Sequence, residues 1–212
     1  MKLYQKTGWI HKKLYPSVVW NMDTQQKVIY LTFDDGPIPE VTEWVLRILK
    51  EHQLQATFFC VGDNIRKNPY VFEKILEGGH TAANHTFNHL RGWTTKNALY
   101  YENIERCHAE IMKFTHEPRH LSYFRPPYGQ ITHRQTRQLK QTYNIVMWDV
   151  LSRDYAPTVE QEVCLNNSIK LTEKGSIIVF HDSIKAQRNM KYTLPAYIQH
   201  YADQGYTFLP LP

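Results

Sequence analysis

Short apolar runs alternate along the chain with longer stretches whose apolar residues recur at helical spacing. The runs at 27–34, 56–61, 80–84, 122–124, 145–149, 176–181 and 206–209 predict strands. The stretches at 39–52, 69–77, 95–114, 133–141, 159–171 and 194–201 predict helices; in the first, Trp44, Val45, Ile48 and Leu49 form one apolar face. Gly78-Gly79 and Lys174-Gly175 fall where a helix should stop and a strand begin. Seven strands separated by helices predict an α/β fold with parallel strands and helical crossovers, either an open doubly wound sheet or a closed barrel. No linker or low-complexity segment interrupts the alternation. The expectation is one domain over 1–212, with 1–26 as a short N-terminal extension or cap.

Length and composition narrow the possibilities. A chain of 212 residues, 42% hydrophobic with 14 Tyr, 9 Phe and 5 Trp, suits one packed core and excludes disorder. No run is long and apolar enough to span a bilayer. The first 20 residues are basic and aromatic with no continuous apolar stretch, so the default expectation is a cytoplasmic protein, or an envelope or extracellular one if a leader precedes this sequence. Cys60, Cys107 and Cys164 are widely spaced and form no CxxC, which argues against a disulfide framework or a zinc knuckle. The net charge of +5 comes without any long Lys/Arg block, so no nucleic-acid partner is expected. Nothing in the composition sets an oligomeric state.

Candidate chemistry enters through the position of the polar residues. Asp34-Asp35, His85, Arg125, Asp149 and His181 all fall at or just beyond the C-terminal ends of predicted strands. In parallel α/β folds the βα loops open at that edge, and catalytic groups gather there. Two adjacent carboxylates closing the run VIYLTF are costly unless paired or bound to a cation. They reach one site only if the strand stops at them, which Gly36-Pro37 favours.

His85 and His89 lie at i and i+4, a spacing that puts both on one helical face and lets them hold one zinc-like ion. With 11 His in the chain, about half such a pair is expected by chance. A second pair does occur, His116 and His120, but Pro118 between them disfavours the aligning helix, so it is read as surface. In Arg125-Pro126-Pro127-Tyr128-Gly129 the prolines stiffen the backbone and leave the Tyr128 and Gly129 N–H groups as oxyanion donors. Arg125 needs an anionic partner if buried. Trp148 is either core or a sugar platform. His181 ends the apolar run IIVF and is placed as a proton donor.

In this order, TFDDGP, HTxxH, RPPYG, the 147–155 stretch and the run ending at His181 resemble the polysaccharide deacetylases of carbohydrate esterase family four. The resemblance implies a deformed (β/α) barrel of about seven parallel strands with helices outside. It implies that Asp35, His85 and His89 hold one divalent ion, zinc first, with cobalt, nickel or manganese also compatible. Asp34 would be the general base, held ionised by Arg125; the Tyr128 N–H would bind the oxyanion; His181 would be the general acid. The 147–155 stretch departs from the family pattern, because Leu151 stands where a carboxylate is usual and Tyr155 where a Trp is usual. Asp149 and Asp154 are the two candidates to orient His181.

The function implied is removal of N-acetyl groups from a glucosamine-containing glycan by an activated water. Two other readings stay open: an O-acetyl esterase acting on acetylated xylan, and a catalytically silent carbohydrate-binding domain. The expected partner is an acetylated glycan or oligosaccharide.

Overall fold

The computed structural model describes residues 5–212. In chain order the elements begin with α1 (Trp9–Leu14), β1 (Val28–Asp34), α2 (Val41–Glu51), β2 (Thr57–Cys60), α3 (Gly62–Lys67), α4 (Pro69–Glu77) and β3 (Thr81–Asn84). There follow α5 (Asn97–Met112), α6 (Pro118–Leu121), β4 (Tyr123–Phe124), α7 (His133–Leu139), β5 (Asn144–Ile145) and β6 (Val150–Leu151). The chain closes with α8 (Gln161–Leu171), β7 (Ile177–His181), α9 (Gln187–Asp203) and β8 (Thr207–Leu209).

All strand pairs are parallel, in the order β5-β4-β3-β2-β1-β7-β6, with β8 beside the first half of β1. The sheet curls into a deformed (β/α) barrel with helices around it, as the alternation and the resemblance imply. One predicted strand, 145–149, is realised differently. Its start pairs with β4 and its continuation, β6, with β7, so one extended run joins the two ends of the strand order. The wedge left between them takes the N-terminal segment: Val19 N–H donates to Ile145 O, Met147 N–H to Val19 O, and Met22 N–H to Gly175 O. Residues 19–22 therefore fill a seam of the barrel.

The strands are covered on both faces, as those of a parallel sheet wrapped by helices must be. Ile29, Leu31 and Phe33 pack with Phe58, Cys60, Ile178 and Phe180 under Val45, Leu49, Phe72 and Leu194 of the helices. The other phase, with Tyr30, Phe59, Ala83, Tyr123, Val146 and Ile177, forms an inner cluster. The glycine stops behave as predicted: Gly79 (φ 73°) and Gly175 (φ 77°) take left-handed conformations open to glycine at little cost. A further helix, α3, was not legible because its six residues carry only two buried positions, Gly62 and Ile65. The predicted helix 194–201 starts earlier, at Gln187, and accommodates Pro195 internally.

Three expectations need correcting. Asp149 is not at the C-terminal rim: it precedes β6, and its N–H bonds to Ile177 O at the start of β7. There its buried carboxylate takes Lys6 Nζ at 2.7 Å and Ser176 Oγ at 2.6 Å. The reason is that the strand it was expected to end begins one residue later. His120 is not a surface residue; it is buried, and its Nδ1 accepts the Ala82 N–H at 3.0 Å, because Pro118 starts α6 rather than preventing it. His116 is exposed. Finally, His85 and His89 do not lie on a helix, as described next.

Candidate active site

Parallel pairing brings the C-terminal ends of β1, β2, β3 and β7 to one rim, with Asp34 level with His181 and Cys60 level with Asn84. β1 stops at Asp34, and Asp35 turns the chain with φ 88°. This reversal lets two consecutive carboxylates face one pocket. Gly36 follows with its Cα packed on Asp182: an added Cβ would sit 1.9 Å from Asp182 Oδ2. Asp182 accepts the Gly36 N–H at 2.9 Å and the Thr42 hydroxyl at 2.6 Å, which ties the turn to β7 and α2.

The segment 85–89 is an irregular loop with Thr86 at φ 63° and His89 at φ 56°. The loop is held by side-chain acceptors in addition to backbone bonds such as Phe87 N–H to Asn103 O. Asn84 Oδ1 accepts the Thr86 N–H, and Asn103 Oδ1 accepts the N–H groups of Phe87 (2.9 Å) and Asn88 (2.8 Å). The spacing thus brings the two imidazoles together by a route other than helical periodicity; their ring centroids are 5.1 Å apart.

Donor atoms of Asp35, His85 and His89 all lie within 4.8 Å of one another. His89 Nε2 is 3.1 Å and His85 Nε2 3.9 Å from Asp35 Oδ1. Ligands about 2.0–2.1 Å from a tetrahedral ion are roughly 3.3 Å apart, so the set fits one divalent cation with little movement. The remaining nitrogens are engaged as ligand histidines require: His85 Nδ1 with Arg125 O at 2.8 Å, His89 Nδ1 with the Tyr128 hydroxyl at 3.1 Å. Burial pushes His85 down to about 4, keeping it neutral. Burial alone would raise the Asp35 carboxyl, but the His89 hydrogen bond and the charges of His181 and His89 carry it well below the usual carboxylate range.

Arg125 is fully buried and spans the barrel interior. Its Nη1 donates to Asp34 Oδ1 (2.6 Å) and Thr32 Oγ1 (2.9 Å), its Nη2 to Met147 O (2.9 Å), and its plane lies 4.0 Å over Phe59. The anionic partner required by a buried guanidinium is therefore Asp34. With Oδ1 taken, Asp34 Oδ2 is the oxygen left toward His85, 3.9 Å from its Nε2.

His181 Nδ1 is 2.8 Å from Asp154 Oδ1, and the His181 N–H donates to Asp154 Oδ2 at 2.8 Å. Of the two carboxylates left open by sequence, Asp154 is the one in contact. Burial opposes protonation of His181, but the charge and hydrogen bond of Asp154 outweigh it and raise the imidazole to about 9. The Tyr155 ring meets His181 edge-on at 4.7 Å.

Tyr128 takes φ 60°. Gly129 N–H is bonded to Pro126 O at 3.0 Å and is not a free donor; Tyr128 N–H meets no acceptor among the described residues. Trp148 is mostly buried, packed where a Cβ on Gly129 would lie 2.7 Å from its Cη2, and its edge reaches the pocket. It is wall and core at once. The cavity, about 100 Å³, is bounded by Asp34, Asp35, His85, His89 and His181 on one side and by Tyr128, Trp148, Leu151 and Tyr155 on the other. Leu151, which departs from the family pattern, serves as apolar wall.

Asp182, Asn103, Asn84 and Thr42 escaped the sequence reading. Their roles rest on contacts to backbone groups distant in sequence, and only the polar character of Asp182 beside His181 hinted at one of them.

Residues 21–147 match the model of the polysaccharide deacetylase family, and the chain belongs to that family. It is 32% identical over 206 residues to a peptidoglycan-N-acetylglucosamine deacetylase of Bacillus cereus, covering 94% of each chain. A chitooligosaccharide deacetylase of Azorhizobium caulinodans is 34% identical over 165 residues, 74% of each. Among solved structures, a peptidoglycan N-acetylglucosamine deacetylase in complex with 4-naphthalen-1-yl-N-oxidanyl-benzamide superposes with a TM-score of 0.88 at 27% identity, covering 97% of this chain and 95% of that one.

Proposed function

We propose that this chain hydrolyses N-acetyl groups on a glucosamine-containing glycan, with a divalent ion held by Asp35, His85 and His89. The observation that carries the reading is one small pocket in which this ligand set, the Arg125-paired Asp34 and the Asp154-paired His181 face an apolar wall. A bound ion supplies Lewis acidity toward the acetyl carbonyl and makes a nearby water more acidic.

The remaining work falls to the protein. Asp34 Oδ2 takes a proton from the attacking water, while Arg125 holds Oδ1 and fixes the orientation of the carboxylate. Tyr128 N–H, preset by its left-handed backbone, donates to the oxygen that gains charge. His181, its Nδ1 committed to Asp154, uses Nε2–H to protonate the departing amine. Trp148, Leu151 and Tyr155 enclose the acetyl methyl; the 100 Å³ cavity is sized for an acetyl group rather than a whole sugar ring. The Bacillus cereus relative is named for an N-acetylated sugar, which supports an amide over an ester substrate.

The test is acetate release by metal-loaded protein from N-acetylglucosamine oligomers and from acetylated xylan oligomers. Turnover of the first set is expected to dominate. Dominant turnover of the second makes the protein an O-acetyl esterase, and bound metal without any turnover makes it a silent glycan binder.

A further inference from the structure

A second cavity, of about 270 Å³, opens beside the catalytic pocket. It shares Asp35, His89 and Lys185 with that pocket and is otherwise lined by Val61, Asp63, Asn64 and Asn88. Its place beside the metal ligands, outside the acetyl-sized pocket, is where a sugar ring of the substrate would lie, if the function proposed above holds.

The charges in this cavity do not cancel. Asp63 is already neutralised: Arg66 holds one oxygen at 2.7 Å and Lys67 the other at 2.5 Å. Asp35 belongs to the metal set. Asn64 donates its Nδ2 to Asp35 O at 2.7 Å, and Asn88 accepts from Asn103 at 2.9 Å. Lys185, exposed on the loop after β7, has no acidic partner among the described residues. The cavity therefore presents one uncompensated ammonium group at its junction with the catalytic pocket. A neutral sugar offers it nothing to pair with beyond hydroxyls, whereas a carboxylate would complete it.

We propose that Lys185 is a specificity-determining residue that recognises a carboxylate on a sugar ring seated in this second cavity, so that the enzyme prefers acidic N-acetylated glycans to neutral ones. Two sugar chemistries supply that carboxylate at this place, a lactyl ether and a uronic acid.

The experiment compares wild type and Lys185→Gln, both metal-loaded, on three substrates: peptidoglycan glycan-strand fragments bearing lactyl carboxylates, hyaluronan oligosaccharides bearing uronates, and neutral N-acetylglucosamine oligomers. The expected result is that the substitution raises KM for at least one carboxylate substrate about fivefold more than for the neutral one, the scale of one exposed charge pair. The arm that responds identifies the source. Added salt should raise the KM of that arm in wild type and much less in the variant. Equal shifts on all three substrates overturn the proposal. If wild type releases acetate from none of them, the glycan reading fails and takes this inference with it, whereas turnover with equal shifts removes the inference alone.

Discussion

Arg125 Nη1 and Asp34 Oδ1 lie 2.6 Å apart in the barrel interior, a buried ion pair in which every atom of the arginine is out of solvent. Removing either partner has a distinct consequence. Asp34→Asn keeps the shape and the metal ligands, so metal content measured by elemental analysis should stay at wild-type stoichiometry. The same variant should lose about 10²–10⁴ in kcat, the usual contribution of a positioned base. Undiminished turnover in Asp34→Asn would remove Asp34 from the base role.

Arg125→Met leaves Asp34 buried without its cation. The expected loss is about 3–5 kcal/mol in urea unfolding, the cost of uncovering one half of a buried pair. A loss below about 1 kcal/mol would show that water or another cation reaches Asp34 in the variant.

The Asp154–His181 contact sets a pH dependence whose sign is fixed. His181 is raised from its ordinary 6.5 to about 9, with burial opposing and Asp154 prevailing. As a general acid it must be protonated, so kcat/KM should hold through neutral pH and fall as pH rises through about 9. Asp154→Asn removes the charge that raises it, and the alkaline limb should move to lower pH. An unmoved limb would assign that ionisation to another group. The same shift stabilises the fold: its contribution is fully present below pH 6.5 and is lost as pH rises through about 9.

Chelation offers a direct test of the ligand set. Treatment with a strong chelator should abolish acetate release, and zinc, cobalt, nickel or manganese should restore it to differing degrees. His89→Ala should lose metal in a binding titration while retaining its circular dichroism spectrum. Retention of wild-type affinity would take His89 out of the set.

Two substitutions probe the loops that deliver the ligands. Gly36→Ala drives a methyl group into Asp182 Oδ2 and should cost about 3 kcal/mol, with weakened metal binding because Asp35 is the preceding residue. Asn103→Ala removes the acceptor shared by the Phe87 and Asn88 N–H groups and should cost about 1–3 kcal/mol. If His89 depends on that loop, metal affinity falls in parallel with stability; unchanged affinity would mean that the Tyr128 contact alone suffices to hold it.

Local physics written in the sequence determined most of the barrel. Apolar runs of strand length, amphipathic stretches between them and glycines at helix ends specify which segments become strands, helices and stops, since each signal lies within a few neighbouring residues. The polar residues at strand ends were legible for the same reason, and Asp34, Asp35, His85, Arg125 and His181 indeed share one rim. Tertiary structure decided what depends on partners distant in the chain. Asp149 and Asp154 look equivalent in sequence, yet one pairs with Lys6 on the far side and the other with His181, because the 144–151 run crosses from β4 to β7. His85 and His89 converge through a loop held by Asn84 and Asn103, a solution that i, i+4 spacing cannot distinguish from a helix. The seam filled by residues 19–22, and the unpaired Lys185 at the mouth of the site, are likewise consequences of closure: they arise only when segments far apart in the chain meet around one barrel.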